Sequence, residues 1–156
     1  MAVIDIGSWK PWPSGALSNF PPHAFVFEDV ECASMEGLVQ AFKFNEPYKQ
    51  VITCQAVGEA AKNMGRRRNL HWQRAQTLWW KTDAYDRHGP EYQALLDRAY
   101  DALATNQAFR DALLATGDAF LSHSIGSRDP RETVLTEAEF CLRLMNMRTR
   151  IRQGVL

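Results

Sequence analysis

The chain has 156 residues, 46% of them hydrophobic and 23% charged. That is enough for one domain with a buried core, in the balance of an ordinary globular protein. Eighteen basic and eighteen acidic residues cancel, which excludes a global field steering the protein onto nucleic acid or an anionic membrane and leaves only a local basic patch.

Residues 1–8 lack a basic region followed by an apolar run, so no signal peptide is expected. Residues 9–23 carry Pro11, Pro13, Ser14, Gly15, Pro21 and Pro22 and read as an ordered loop. Residues 24–32 read as a hairpin turning near Glu28 and Asp29. Ser34 is an N-cap, followed by Met35, Leu38, Val39 and Phe42 at helical spacing. A second helix is predicted over residues 47–64, with Pro47 in its first turn and Gly65 as its stop. A short aromatic helix is predicted over 73–81, an amphipathic one over 91–104, and another over 106–115, ended by Thr116 and Gly117. Residues 119–125 alternate weakly and suggest a strand, and 127–133 form a polar loop. The last helix opens on the capping box Thr136-Glu137-Ala138-Glu139 and runs through Ile151.

The expected fold class is therefore α+β and predominantly α: a single compact domain over 1–156, with a small β-hairpin or sheet beside a helical bundle. Cys32, Cys54 and Cys141 are odd in number and widely spaced. They suggest buried thiols of a reducing compartment rather than a disulfide framework or zinc site. No apolar stretch approaches the roughly eighteen residues of a membrane span, and a cytoplasmic location is expected.

Three clusters could carry chemistry. Glu36, Gln40 and Lys43 stand at i, i+4 and i+7 and share one helix face. On periodicity alone the commoner outcome is a solvated face. The alternative puts Glu36 against a cleft, near a helix N-terminus whose dipole favours the carboxylate, where it could activate water or stabilise positive charge. The run Arg66-Arg67-Arg68 is followed by Asn69, His71 and Trp72. Such arginines are usually solvated, but beside an aromatic they can hold phosphate while the indole stacks on a base. Trp72 precedes the predicted aromatic helix and is the better cleft candidate, whereas Trp79 and Trp80 fall inside it and suit packing. Asp129, followed by Pro130, is most often a turn former, yet glycosidic chemistry commonly uses a second carboxylate opposite the first. His23, His71, His88 and His123 lack metal-ligand spacing, and no dinucleotide, Walker or nucleophile-elbow motif occurs, so no metal is expected.

Leu17-Ser18-Asn19-Phe20, the hairpin, and Ser34-Met35-Glu36-Gly37-Leu38-Val39-Gln40-Ala41-Phe42-Lys43-Phe44 resemble the opening signature of the NADAR (NAD- and ADP-ribose-associated) superfamily. Met64-Gly65-Arg66, Trp72, Leu113-Leu114-Ala115-Thr116-Gly117 and the terminal helix follow in matching order, so the resemblance spans about residues 16–150. It implies a hydrolase that cleaves the N-glycosidic bond of a ribosylated, nucleotide-like substrate. Family members act on early riboflavin intermediates or reverse ADP-ribosylation of guanine in DNA. The resemblance places the catalytic glutamate on Glu36, the stacking tryptophan on Trp72 and the late aspartate on Asp129, with Ser18, Asn19, Phe20 and Lys43 lining the pocket. Gln40, Arg66 and Arg67 complete the expected substrate contacts, without a cofactor. The implied partner is a small nucleotide-like molecule or ADP-ribosylated nucleic acid. A non-catalytic module binding ADP-ribose or NAD, and an interaction protein with an incidental pocket, are the rival readings. The chain departs from the family pattern in four places. Gly37 stands where many members have His, and Ala102-Leu103 replaces Lys-Phe. The late motif gives way to Gly126-Ser127-Arg128-Asp129 and Val134-Leu135-Thr136-Glu137, and residues 83–90 are inserted.

Overall fold

Helix α2 (Met35–Ala41) begins where the sequence places it: Ser34 is extended and its hydroxyl accepts the Gly37 amide at 3.1 Å. In the computed structural model, which describes residues 2–156, every residue of this helix is buried. Its polar face is thus not solvated. Helices α3 (Pro47–Cys54) and α4 (Gly58–Arg66) pack on it.

The expected single helix over 47–64 is two, broken at residues 55–57. The break is held from outside: the Ala33 amide donates to the Cys54 carbonyl and the Ser34 hydroxyl to that of Ala56. Satisfying these carbonyls from the α2 N-terminus replaces the continuing helical bonds. It also accounts for Gly37, since a Cβ there would lie 2.7 Å and 2.8 Å from the carbonyl oxygens of Ala56 and Thr53. Any larger side chain there would have to displace this turn.

The aromatic segment differs too. Helix α5 (Asn69–Ala75) ends at Gln76, which is left-handed, and the chain enters β4 (Thr77–Trp80), paired antiparallel with β5 (Asp83–Asp86). Leu78 and Trp80 point inward while Thr77 and Trp79 are half-buried. This is the two-residue period of a strand in a segment predicted as a helix. Residues 83–86 supply the second strand of that hairpin.

Strands β2 (Phe25–Phe27) and β3 (Val30–Cys32) form the predicted hairpin, with Glu28 and Asp29 at positive φ as a tight hairpin turn requires. Helix α1 (Ser14–Leu17) lies within the segment expected to be loop. Residues 119–125 contribute β6 (Phe120–Ser122), which pairs in parallel with β1 (Val3–Asp5), a strand without a sequence signal. Helices α6 (Pro90–Leu103), α7 (Gln107–Ala115) and α8 (Glu137–Arg152) complete the α+β fold, α8 with its capping box formed.

The core is continuous and aromatic: Trp80 stacks on Phe27 at 5.4 Å and meets Phe42 edge-on, and Trp72, Tyr92, Tyr100 and Phe109 are fully enclosed. The three cysteines are free and buried. Cys32 lies beside Cys54, and this neighbour together with burial pushes the Cys54 thiol above its ordinary range. No helix among the described residues is long and apolar enough to cross a membrane.

Candidate functional site

A cavity of about 550 Å³ opens where α2 and α4 meet three loops, a size in the range of small-molecule sites. One wall is helical. Glu36, in the first turn of α2, Gln40, one turn later, and Lys43, just past its end, line it at 9%, 6% and 6% exposure. Glu59, Lys62 and Arg66 line it from α4, and Asn69 from the first turn of α5.

Burial pushes the Glu36 carboxyl above its usual range, against the pull of Lys43 and Lys62. Burial likewise brings the Lys43 ammonium down to about 8, opposed by Glu36. Desolvation therefore wins at both members of the pair. Lys43 Nζ donates to Asn69 Oδ1 at 2.6 Å. Gln40 Oε1 is buried without a hydrogen-bond partner among the described residues, and a Cβ at Gly65 would overlap it. Glycine at 65 is what lets α4 close onto Gln40.

The other wall is made of connections. The Glu36 amide donates to the Asn19 carbonyl at 3.0 Å, docking residues 18–20 onto the start of α2. Asn19 Oδ1 accepts the Tyr100 hydroxyl, and the Ser8 and Ser18 hydroxyls share a hydrogen bond. Because β1 and β6 are parallel, the segments that follow them leave from the same end. They bring Ser8, Trp9, His123, Ile125, Gly126 and Ser127 to the cavity.

Asp5, the last residue of β1, ties these segments together. It accepts the Ser124 amide and the hydroxyls of Ser122 and Ser124, and pairs with Lys10 at 2.8 Å. Lys10 first, then Ser124, holds its carboxyl well below the usual range. His123 Nδ1 donates to the Ile6 carbonyl, with its ring edge-on to Phe140. The strip from Glu132 to Thr136 closes this wall. Buried Arg87 anchors it by donating to the Thr133 carbonyl and both Glu139 carboxylate oxygens, and the Tyr92 hydroxyl donates to the Val134 carbonyl.

The structure brings Ser18, Asn19, Phe20, Glu36, Gln40, Lys43 and Arg66 to one cavity. It does not bring Trp72, Asp129 or Arg67 there. Trp72 has 0% exposure and lies in the core, so it cannot stack on a ligand. It touches the site only through Asn69, to whose Oδ1 its indole N–H donates. Asp129 is an exposed turn former whose carboxylate accepts the Arg131 amide. Arg67 is exposed and off the lining, and Arg68 turns to the Lys43 carbonyl and the Phe44 ring.

The carboxylates facing the cavity besides Glu36 are Glu59 and Glu132. Glu59, Lys62 and Arg66 had a signal, since i, i+3 and i+7 is a helical face. Trp9 and Glu132 had none, because they arrive through tertiary pairing. Among the described residues no cluster of three or more His, Cys, Asp or Glu could hold a metal ion.

The family described as bacteriophage protein GP30.3 matches residues 11–149. The uncharacterized 17.1 kDa protein from the Gp30-rIII intergenic region of Enterobacteria phage T4 is 37% identical over 145 residues, covering 90% of this chain and 93% of that one. The NMR structure of the E. coli protein YbiA superposes with a TM-score of 0.64 at 16% identity, over 98% of this chain and 86% of that one. At that identity the likeness is one of fold alone.

Proposed function

The chain belongs to the bacteriophage GP30.3 protein family, and from that premise and the cavity we propose that it is a hydrolase of N-glycosidic bonds in a ribosylated, nucleotide-like substrate. The observation that carries this reading is Glu36: a buried carboxylate in the first turn of α2, facing a nucleotide-sized cavity beside Lys43, Lys62 and Arg66.

Glu36 as carboxylate stabilises the oxocarbenium character that develops at the ribose anomeric carbon and takes a proton from the attacking water. The water oxygen forms the new bond to that carbon. The electrons of the broken bond leave with the base nitrogen, which is protonated from solvent through the open mouth. Lys43, Lys62 and Arg66 neutralise the substrate phosphate, and Gln40, wedged against Gly65, holds the α2 face that carries Glu36 and Lys43 against α4. Ser18, Asn19 and Phe20 shape the floor under the sugar.

The test is incubation with riboflavin precursors, ADP-ribosylated guanine DNA and NAD, with mass spectrometry of the released base. Glu36→Gln is expected to lower turnover by about 100-fold or more, with a melting temperature within about 3 °C of the wild type. Undiminished turnover in that variant sinks the proposal. The pH profile has a definite sense. The carboxylate form is the working one and its pKa is raised, so turnover falls on acidification at a pH above the ordinary glutamate value of about 4.3. The same shift makes the buried charge a stability cost, absent below the ordinary value and complete above the raised one.

One observation favours a nucleotide-binding module without turnover: the expected second carboxylate, Asp129, is away from the cavity. Calorimetric binding with no product after long incubation would establish that reading instead.

A further inference from the structure

Trp9 is the most exposed large hydrophobic residue described, at 93%, and it lines the cavity. Ile125, at 76%, lines it too. Both follow the parallel pair, Trp9 four residues after β1 and Ile125 three residues after β6. Trp9 also has φ +70°, a left-handed backbone that is unfavourable for a bulky residue and persists only where its surroundings impose it.

The surroundings do so here. Lys10 pairs with Asp5 and also donates to its carbonyl, and the Ser14 hydroxyl donates to that same carbonyl. Ser8 is bonded to Ser18. The network fixes the backbone on either side of Trp9 and leaves the indole itself almost wholly in water. A strained, tethered and solvent-exposed aromatic at the mouth of a cavity makes no contribution to the core. Its apolar face is free for a ligand.

The rest of the cavity says what ligand. Cations come from the helices, as Lys43, Lys62 and Arg66, and apolar exposed groups come from the loops, as Trp9 and Ile125. A molecule with an anionic end and a planar heterocycle matches both. We propose that Trp9 is the stacking platform for the heterocyclic base of the substrate, the role the sequence resemblance gives to Trp72, and that Ile125 packs against the same base. This rests on the reading of the cavity as a nucleotide site. Trp9 acts on binding and base preference, while Glu36 acts on the glycosidic bond.

The experiment is calorimetric titration of the full chain and its Trp9→Ala, Trp9→Phe and Trp12→Ala variants with two probes, ADP-ribose and ribose 5-phosphate. Trp12 is exposed on the same segment but does not line the cavity. Loss of one base–aromatic stack is expected to weaken ADP-ribose binding by about tenfold or more in Trp9→Ala. Trp9→Phe retains most of the affinity, Trp12→Ala behaves as wild type, and ribose 5-phosphate binds all four alike. Unchanged ADP-ribose affinity in Trp9→Ala overturns the proposal. So does an equal loss for both probes, which would mark Trp9 as a structural residue. If Trp9→Ala is silent while Glu36→Gln still abolishes base release, the platform falls and the hydrolase reading stands. A wild-type chain that binds neither probe overturns both.

Discussion

The two walls of the cavity are held by different physics. The α2–α4 wall buries Glu36, Gln40 and Lys43 within helices that pack directly on one another, so its side chains are fixed by close contact and charged groups lose their hydration. The loop wall keeps Trp9, Ile125 and Glu132 exposed, and polar tethers at Asp5 and Arg87 fix its backbone. The helical wall thus tunes protonation, as the opposed shifts of Glu36 and Lys43 show. The loop wall presents exposed surface. Such a division suits a site whose chemistry sits on rigid helices while its recognition surface sits on variable loops.

Gly65→Ala strikes the helical wall hardest. The added methyl overlaps Gln40, and separating α2 from α4 is expected to cost about 1–3 kcal/mol by overpacking, read as a fall in denaturant midpoint, with turnover reduced alongside. A variant that is both stable and fully active would mean that Gln40 is not held by this contact.

Asp5→Asn loosens the loop wall. Loss of the ion pair and the charge-assisted bonds at this partly exposed site is expected to cost about 1 kcal/mol near neutral pH. Because the Asp5 carboxyl is depressed, its contribution is complete above the ordinary aspartate value of about 3.9 and is lost as pH falls through the folded value. The difference between wild type and variant should therefore shrink on acidification, as measured by urea unfolding across the acid range. A constant difference would remove Asp5 from its place as the knot of this wall.

Asp129→Ala marks the lower bound. An exposed turn residue off the cavity should change stability by no more than about 0.5 kcal/mol and leave base release at the wild-type rate. A large drop in turnover would restore this residue to the chemistry and redraw the loop wall.

How much of this was legible depended on sequence distance. Ser34 capping, the Glu28–Asp29 turn and the Thr136–Glu139 capping box are local, and each is legible because its partners lie within a few residues. The break in the 47–64 segment has no local signal, because it depends on Ala33 and Ser34 reaching the carbonyls of Cys54 and Ala56 from about twenty residues away. The 73–81 segment has a helical composition but forms a strand from Thr77, because Gln76 turns left-handed and residues 83–86 offer a strand partner. Trp72 suggested a stacking residue by its position in the family signature, yet it fills the core while Trp9 stands at the mouth.

By itself, the sequence determined helices α2, α6, α7 and α8, the caps at Ser34 and Thr136, and the shared face of Glu36, Gln40 and Lys43, because helical geometry converts spacing directly into direction. Only the tertiary structure decided that this face is buried against α4 rather than solvated, and that Trp9, His123 and Glu132 join it. Strand pairing and loop tethering bring together residues more than a hundred positions apart, and their register depends on partners that no local period encodes.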